Sequence, residues 1–500
     1  MKKGAKCSMQ SSDIVLYNLS KQAAKEHYQY DRLYRNLYNE DFHSKAYDNI
    51  CRNKGSAAKE IDDKAGSFGG EKIQSIIASL KDETYQPKTV RNHTIPKKNG
   101  RTRPVSIPAV SDQVVQEVCR MILEAIYAPA FSQQFHELGE KRSHHTAFIQ
   151  VKQSFSGVNW FIKGEIGGFL DNIQYQVLIN ILRKRIKDEK FIRLLWKLLK
   201  AGYLEQWKLQ RTYNETTQEG TLSPLLANIY YNEFDTFVEE KLKPSFYMQR
   251  LKKDKEKPEE KLRETLLKEY KENTSDPIRE SCKRMKYVRF ADEFLIGVHG
   301  SKEDCEQIKN DAESFLKEHL KLEMQEVKTH IRHSTHSTGF LGYDVFISHN
   351  HRAAKKQHSI EERKYHGTVQ LEIPTGTIEK VIVTRKMVKD IDAKQWDMLH
   401  RPELTGLSDL KIIETYNAEL RELYHYYCLA ENVSPKMRQL RHVMEYSCLK
   451  TLANKYKSSV SQMKVKYKRG KDWGIQYETK HGARIAYFFN DGFKQRQPWK

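Results

Sequence analysis

No two cysteines in this 500-residue chain are spaced Cys-x-x-Cys. The seven present (Cys7, Cys51, Cys119, Cys282, Cys305, Cys428, Cys448) are scattered and odd in number. That argues against a zinc module and a disulfide framework, and for a reducing compartment. No apolar run approaches the roughly 18 residues a membrane span needs. The amino terminus, 1-MKKGAKCSMQSSDIVLYNLSKQ-22, is basic but lacks the apolar core of a signal peptide. These absences predict a soluble intracellular protein with no membrane partner, in a bacterial cytoplasm ahead of an organelle. Acid is scarce too: 65 Asp and Glu face 86 Lys and Arg, a formal charge of +21. An excess of that size predicts a polyanionic partner. With 11% aromatic residues to stack on bases, nucleic acid is favoured over lipid.

What is present reads as about three domains' worth of chain. Residues 1–85 form a polar helical region. In 71-EKIQSIIASLKDETY-85, Ile73, Ile76, Ile77 and Leu80 recur at helical spacing. The segment 93-HTIPKKNGRTRPVSIPAV-110 predicts a hairpin with a charged tip. A helix follows from Asp112 to Tyr127. Residues 159-NWFIKGEIGGFLDNI-173 read as a strand and turn with Glu165 near the strand's end, and 176–205 as two helices. Ser223-Pro224 is a good helix start. Residues 251–286 are a densely charged run of mixed sign, expected to be a solvated insertion.

From 409 onward the pattern is helical. Ile412, Tyr416, Leu420, Leu423 and Tyr427 form one stripe; Met437, Leu440, Met444, Cys448 and Leu452 form a second. Both are expected to be core. The last fifty residues hold twelve Lys and Arg against three Asp and Glu, a surplus of nine. Interleaved with Tyr456, Tyr467, Trp473, Tyr477 and Tyr487, they predict a nucleic-acid surface.

The stretch 287-YVRFADEFLIGV-298 interrupts two β-prone runs with acid. Its alternation places Val288 and Phe290 on one face, Tyr287 and Arg289 on the other, and Asp292-Glu293 at the tip of a hairpin. Glu165 lies at a second strand end. Carboxylates gathered at adjacent strand ends can hold Mg²⁺, with Mn²⁺ as a substitute, and such ions neutralise phosphate in phosphoryl transfer.

In order along the chain, 103-RPVSIPAVSDQVVQE-117, 164-GEIGGFLDNI-173, 199-LKAGYLE-205, 222-LSPLLANIY-230, 287-YVRFADEFLIGV-298 and 339-GFLGYD-344 resemble the reverse transcriptase/maturase proteins encoded by group II introns, of the bacterial and mitochondrial-like lineage. Further on, 414-ETYNAELRELYHYYCLAEN-432 and 445-EYSCLKTLANKYK-457 are similar to the family's thumb, or maturase domain X. The resemblance spans about residues 30 to 490. It implies an α+β right-hand fold, with fingers and a palm built on antiparallel sheet, then an all-helical thumb. The implied division is an N-terminal extension at 1–85, fingers and palm at 86–350, a linker or thumb entry at 351–408, the thumb at 409–460 and a basic DNA/RNA-binding tail at 461–500. The family's His/Cys-liganded endonuclease domain is expected to be absent, since no cysteine follows Cys448.

By position, the resemblance assigns Glu165, Asp292, Glu293 and Lys328 to catalysis, and Glu165, Ile166, Asp292 and Glu293 to Mg²⁺. Nucleotide binding falls to Lys98, Arg101, Arg103, Leu170 and Gln218. RNA contact falls to Arg142, Arg421, Lys450, Lys455, Lys457, Lys464, Lys466 and Lys468. The departures concentrate at the palm. The family's Tyr-Ala-Asp-Asp is Phe290-Ala291-Asp292-Glu293, and the first metal-binding Asp is Glu165. Leu170 replaces the sugar-screening aromatic, 216-TTQEG-220 replaces Thr-Pro-Gln-Gly-Gly, and 136-HELGE-140 replaces His-Gly-Phe-Arg-Pro. A Glu for Asp change moves the oxygens by roughly 1.5 Å, and a misplacement of about 1 Å can cost on the order of 10²-fold. The expected function is a group II intron maturase that binds its intron RNA, and in some settings target DNA, as a monomer or homodimer. Its polymerase is expected to be impaired, and without a working polymerase site no cofactor is expected. The competing expectation is an active RNA-directed DNA polymerase supporting retrohoming as well as splicing.

Overall fold

The computed structural model describes residues 10–25, 27–53, 69–88, 91–96, 102–107, 109–137, 142–167, 172–201, 222–251, 284–348, 367–470, 472–479 and 482–497. From 252 to 283 the charged run lies outside the described residues, and the strand that follows begins inside the expected insertion, at Arg284. The chain divides into two compact units. One gathers the described parts of 10–147, 162–201 and 222–331, the other those of 148–161 and 332–497.

In the first unit, α1 (Ser12–Ala23), α2 (Glu40–Asn53) and α3 (Gly70–Lys81) precede a hairpin of β1 (Arg91–Pro96) and β2 (Thr102–Ile107), then α4 (Val110–Tyr127). Ile73, Ile76, Ile77 and Leu80 are all buried on α3, as their spacing requires. On α4, Val115, Val118, Cys119, Ile122 and Ile126 are fully buried. Helix α5 (His144–Ser154) leads into β3 (Trp160–Glu165). The amphipathic stretch after it resolves into α6 (Tyr175–Arg185) and α7 (Glu189–Lys200). The break between them is fixed by Asp188, which caps α7 by accepting from the amides of Lys190 and Phe191.

Helix α8 (Ser223–Phe237), with Pro224 in its first turn, runs through one π-helical turn at Val238–Leu242 into α9 (Lys243–Leu251). The hairpin of β4 (Arg284–Phe290) and β5 (Glu293–His299), α10 (Lys302–His319) and β6 (His330–His333) complete this part of the chain. The sheet order is β4-β5-β3-β6. One face of β4 and β5 packs on α8, where Phe234 meets Tyr287 and Phe294 at 6.1 and 5.2 Å between ring centres. Phe315 of α10 joins the same cluster, stacking on Phe237 at 4.1 Å and meeting Phe234 at 6.3 Å.

The second unit contains a sheet of β7 (Thr338–Phe340), β8 (Tyr343–Ile347) and β9 (Val369–Glu372), followed by α11 (Thr377–Thr384), α12 (Asp409–Tyr427), α13 (Val433–Lys455) and α14 (Val460–Tyr467). Both stripes read from the sequence are buried in full on α12 and α13. Beyond α14 the described residues are not helical. β10 (Lys468–Arg469), β11 (Asp472–Thr479) and β12 (Gly482–Tyr487) form an antiparallel sheet. It is tied to α12 by Asn417, which donates to the Tyr487 carbonyl and accepts from the Phe489 amide, both at 2.8 Å. The alternation 472-DWGIQYET-479 buries Trp473 and Ile475 while polar neighbours face out, so this basic segment folds instead of trailing as a tail.

Candidate active site and nucleic-acid interface

The acidic hairpin closes on the pair Phe290–Glu293, so its two-residue turn is Ala291-Asp292. A turn that short must match the right-handed twist of its strands, which requires positive φ. Ala291 accepts that conformation at φ 53°, at about 1–2 kcal/mol for a residue with a Cβ. This corrects the expectation that both acids share the tip. Asp292 is at the tip and half-buried; Glu293 is the first residue of β5 and is buried. The Asp292 carbonyl accepts from the Ile166 amide at 2.9 Å, which holds the tip against the end of β3.

Beneath the tip lies a buried charge network. Arg289 is fully buried and bonds Asp235 of α8 through Nε at 2.7 Å and Nη2 at 2.6 Å. Its Nη1 donates to the Ala291 carbonyl at 2.7 Å and to Asn228 Oδ1 at 3.2 Å. Tyr287 donates to Asp235 Oδ1 at 2.6 Å, and the guanidinium lies 4.4 Å from the Phe135 ring centre. Burial pulls the Arg289 pKa down, but Asp235 more than offsets it and the group is held above its ordinary value. The strained turn therefore rests on a charge-assisted support that reaches its own carbonyl. Asn228 also donates to Glu137 Oε2 at 2.8 Å, within the 136–140 stretch that departs from the family pattern.

Glu165 ends β3 with 6% of its surface exposed. Its backbone is pinned on both sides: its carbonyl accepts from the Gln325 amide at 2.9 Å, and its amide donates to Thr329 Oγ1 at 3.4 Å. Each carboxylate oxygen faces an ammonium. Lys328 Nζ is 2.6 Å from Oε1, and Lys163 Nζ is 3.2 Å from Oε2. Burial pushes the Glu165 carboxyl up, but the hydrogen bonds and charges of Lys328 and Lys163 outweigh it and hold the group below the ordinary carboxylate range. Among the described residues, Glu165, Asp292 and Glu293 do not each bring an oxygen within 4.8 Å of the others'.

The other candidates fall in several places. Ile166 is buried, with its amide on the hairpin tip. Lys98, Arg101, Leu170 and Gln218 lie outside the described residues; Arg103 is on β2, but its side chain lies outside them. Arg142 is engaged within its own unit, donating to the carbonyls of Ser132 and Phe135 at 3.0 and 2.7 Å. In the second unit Lys450 pairs with Asp397 at 3.1 Å and Lys455 with Asp409 at 2.7 Å. Arg421 is exposed and lines a groove with Arg469, Tyr477 and Tyr487, its guanidinium 5.2 Å from the Phe489 ring centre. Lys457, Lys464, Lys466 and Lys468 are exposed, and Lys466 sits 3.8 Å from the Tyr456 ring centre.

Residues 95–345 match the family model for reverse transcriptase (RNA-dependent DNA polymerase), and residues 366–484 match the model for type II intron maturase. The group II intron-encoded protein LtrA of Lactococcus lactis subsp. cremoris is 40% identical over 486 residues, covering 92% of this chain and 81% of the relative. The chain belongs to the family of group II intron-encoded reverse transcriptases and maturases. A putative COX1/OXI3 intron 2 protein of Saccharomyces cerevisiae is 31% identical over 452 residues, covering 84% of this chain and 52% of that one. Nuclear intron maturase 1 of Arabidopsis thaliana, a mitochondrial protein, is 26% identical over 293 residues, covering 48% and 40%. The fold is that of a reverse transcriptase, with α-helices and antiparallel sheet, followed by a largely helical C-terminal region. No helix among the described residues is long and apolar enough to cross a membrane.

Reverse transcriptases generally use divalent ions. Here Glu165 does not fit one as it stands: each of its oxygens has an ammonium beside it, and Mg²⁺ demands near-ideal octahedral oxygen geometry. Sequence reasoning missed Lys163, Arg289 and Asp235. The available signals were a lysine two residues before Glu165 on the same strand face, and an arginine between β-prone apolar neighbours with no water to face.

Proposed function

We propose that the chain is a group II intron maturase. It binds its intron RNA and promotes folding and splicing while the RNA performs the transesterification, and its own reverse transcription is impaired. The observation that carries this reading is the Glu165 carboxylate, each of whose oxygens already has a lysine ammonium beside it. Phosphoryl transfer by two metals depends on their joint coordination. By contrast, Arg421, Lys457, Lys464, Lys466 and Lys468 are exposed, and Arg421 and Lys466 lie beside the rings of Phe489 and Tyr456, an arrangement suited to phosphate and base contact.

The proposed organisation places fingers and palm within 86–350, with RNA contact concentrated beyond 409. A bacterial cytoplasm is the proposed location, in keeping with the Lactococcus lactis relative. Retention of Asp292 at the hairpin tip favours the competing reading, an active polymerase supporting retrohoming. Primer extension on an RNA template, in Mg²⁺ and then Mn²⁺, separates the two. The purified protein is expected to stimulate intron splicing while extending primers poorly. Processive cDNA synthesis at rates typical of polymerases would overturn the impairment, and splicing unaffected by the protein would overturn the maturase reading. The pair Glu165→Asp with Glu293→Asp is expected to raise extension at least about 10-fold if carboxylate length is the block.

A further inference from the structure

Lys163 belongs to no motif, yet it is one of the few buried lysines of the described chain, with 6% of its surface exposed. It stands two residues before Glu165, so the strand's period of two puts both side chains on one face. Gly164 between them faces α8, where a Cβ would fall 2.0 Å from the Phe294 ring. A side chain at 164 would collide with that ring, and by the strand's alternation Lys163 and Glu165 take the opposite face. An isolated ammonium or carboxylate is costly to bury, and each needs the other. Lys163 answers Oε2 at 3.2 Å, and Lys328, arriving from the turn before β6, answers Oε1 at 2.6 Å.

We propose that Lys163 is a resident counter-ion that takes the place of a divalent cation on Glu165, with Lys328 closing the clamp. The palm's acidic strand end is thus charge-balanced by the protein itself. A metal that displaced the half-exposed Lys328 from Oε1 would still lie beside the Lys163 ammonium, which repels it and, buried, has no solvent to retreat into. The geometry is that of a Lys–Glu–Lys clamp: one partner buried on the same strand, the other half-exposed and able to swing away. The clamp rests on the reading that polymerisation is impaired, but it concerns metal affinity and is measured without nucleotide, primer or template.

The test is Mn²⁺ binding to the full-length protein, followed by the loss of the free-ion electron paramagnetic resonance signal. The wild-type protein is expected to show no Glu165-dependent saturable site, so that Glu165→Gln binds Mn²⁺ as weakly as wild type. Lys163→Met, which keeps the volume and removes the charge, is expected to gain one site at least about 10-fold tighter, and Lys163→Met/Glu165→Gln to lose it again. A wild-type site abolished by Glu165→Gln would overturn the clamp, as would a Lys163→Met protein that binds no tighter than wild type. Should Lys163→Met fail to fold, the thermal midpoint of wild type in EDTA and in millimolar Mg²⁺ decides. No shift is expected, and stabilisation that Glu165→Gln removes would overturn the proposal. Primer extension by a wild-type protein lacking the Mn²⁺ site would overturn impairment and leave the clamp standing. Tight Mn²⁺ on Glu165 would sink the clamp whatever the splicing assay gives.

Discussion

Glu165 and Arg289 are both charged side chains that the fold has withdrawn from water, and each is supported in its own way. Glu165 keeps its charge through two ammonium partners, so its native pKa lies below its unfolded value of about 4.3. A depressed carboxyl stabilises the fold fully above the unfolded pKa, and that contribution is lost as pH falls through the native one. Urea unfolding of wild type and Glu165→Gln between pH 7 and 3 is therefore expected to differ most near neutrality and to converge on acidification. Arg289 and Asp235 are each at 0% exposure and share two hydrogen bonds. Arg289→Met leaves Asp235 buried without its counter-charge, a loss of about 3–5 kcal/mol measurable by denaturant titration. The Arg289 pairing is not visible in the sequence, because its partners lie 54 and 61 positions away.

At the level of elements, the β4–β5 hairpin is the informative one. Its register puts Asp292 in the turn and Glu293 in the strand, so adjacent acids in the chain occupy different environments. Ala291 carries the positive φ that the turn imposes. Ala291→Gly is expected to relieve that strain and raise stability by up to about 1 kcal/mol, net of the greater entropy of an unfolded glycine; calorimetric melting reads the shift. Helices are legible from their stripes: on α3, α4, α12 and α13 each named apolar position is buried. The β11–β12 hairpin is not, because its charged residues and tyrosines read as a solvated surface. Its strands are held by Asn417 and by Trp473, whose indole donates to Glu445 Oε1 at 2.9 Å. These partners sit on helices that end well before it.

For the whole molecule, the surplus of positive charge has to be read by position rather than by sum. Arg142, Lys450 and Lys455 are spent on internal partners, whereas Lys464, Lys466 and Lys468 cluster exposed at the end of α14 and the start of β10. Replacing those three with Ala is expected to weaken intron RNA binding across sequences. The slope of log affinity against log salt should shrink by roughly 0.7 to 0.9 for each phosphate that is no longer neutralised. Filter binding across a salt series measures it, and circular dichroism should show the fold unchanged.

The sequence alone determined the family, the order of the segments, the amphipathic helices, the charge excess and the position of Glu165 at a strand end. Each of these is carried by composition or by a short period that neighbours in the chain can express. The tertiary structure decided which charges are available for chemistry: that Lys163 and Lys328 close on Glu165, that Glu293 leaves the turn, and that the basic C-terminal stretch becomes a sheet. A strand's period of two could hint at Lys163, but the pairing of Lys328 with Glu165 is a distance of a few ångströms between residues 163 positions apart, which no local pattern encodes.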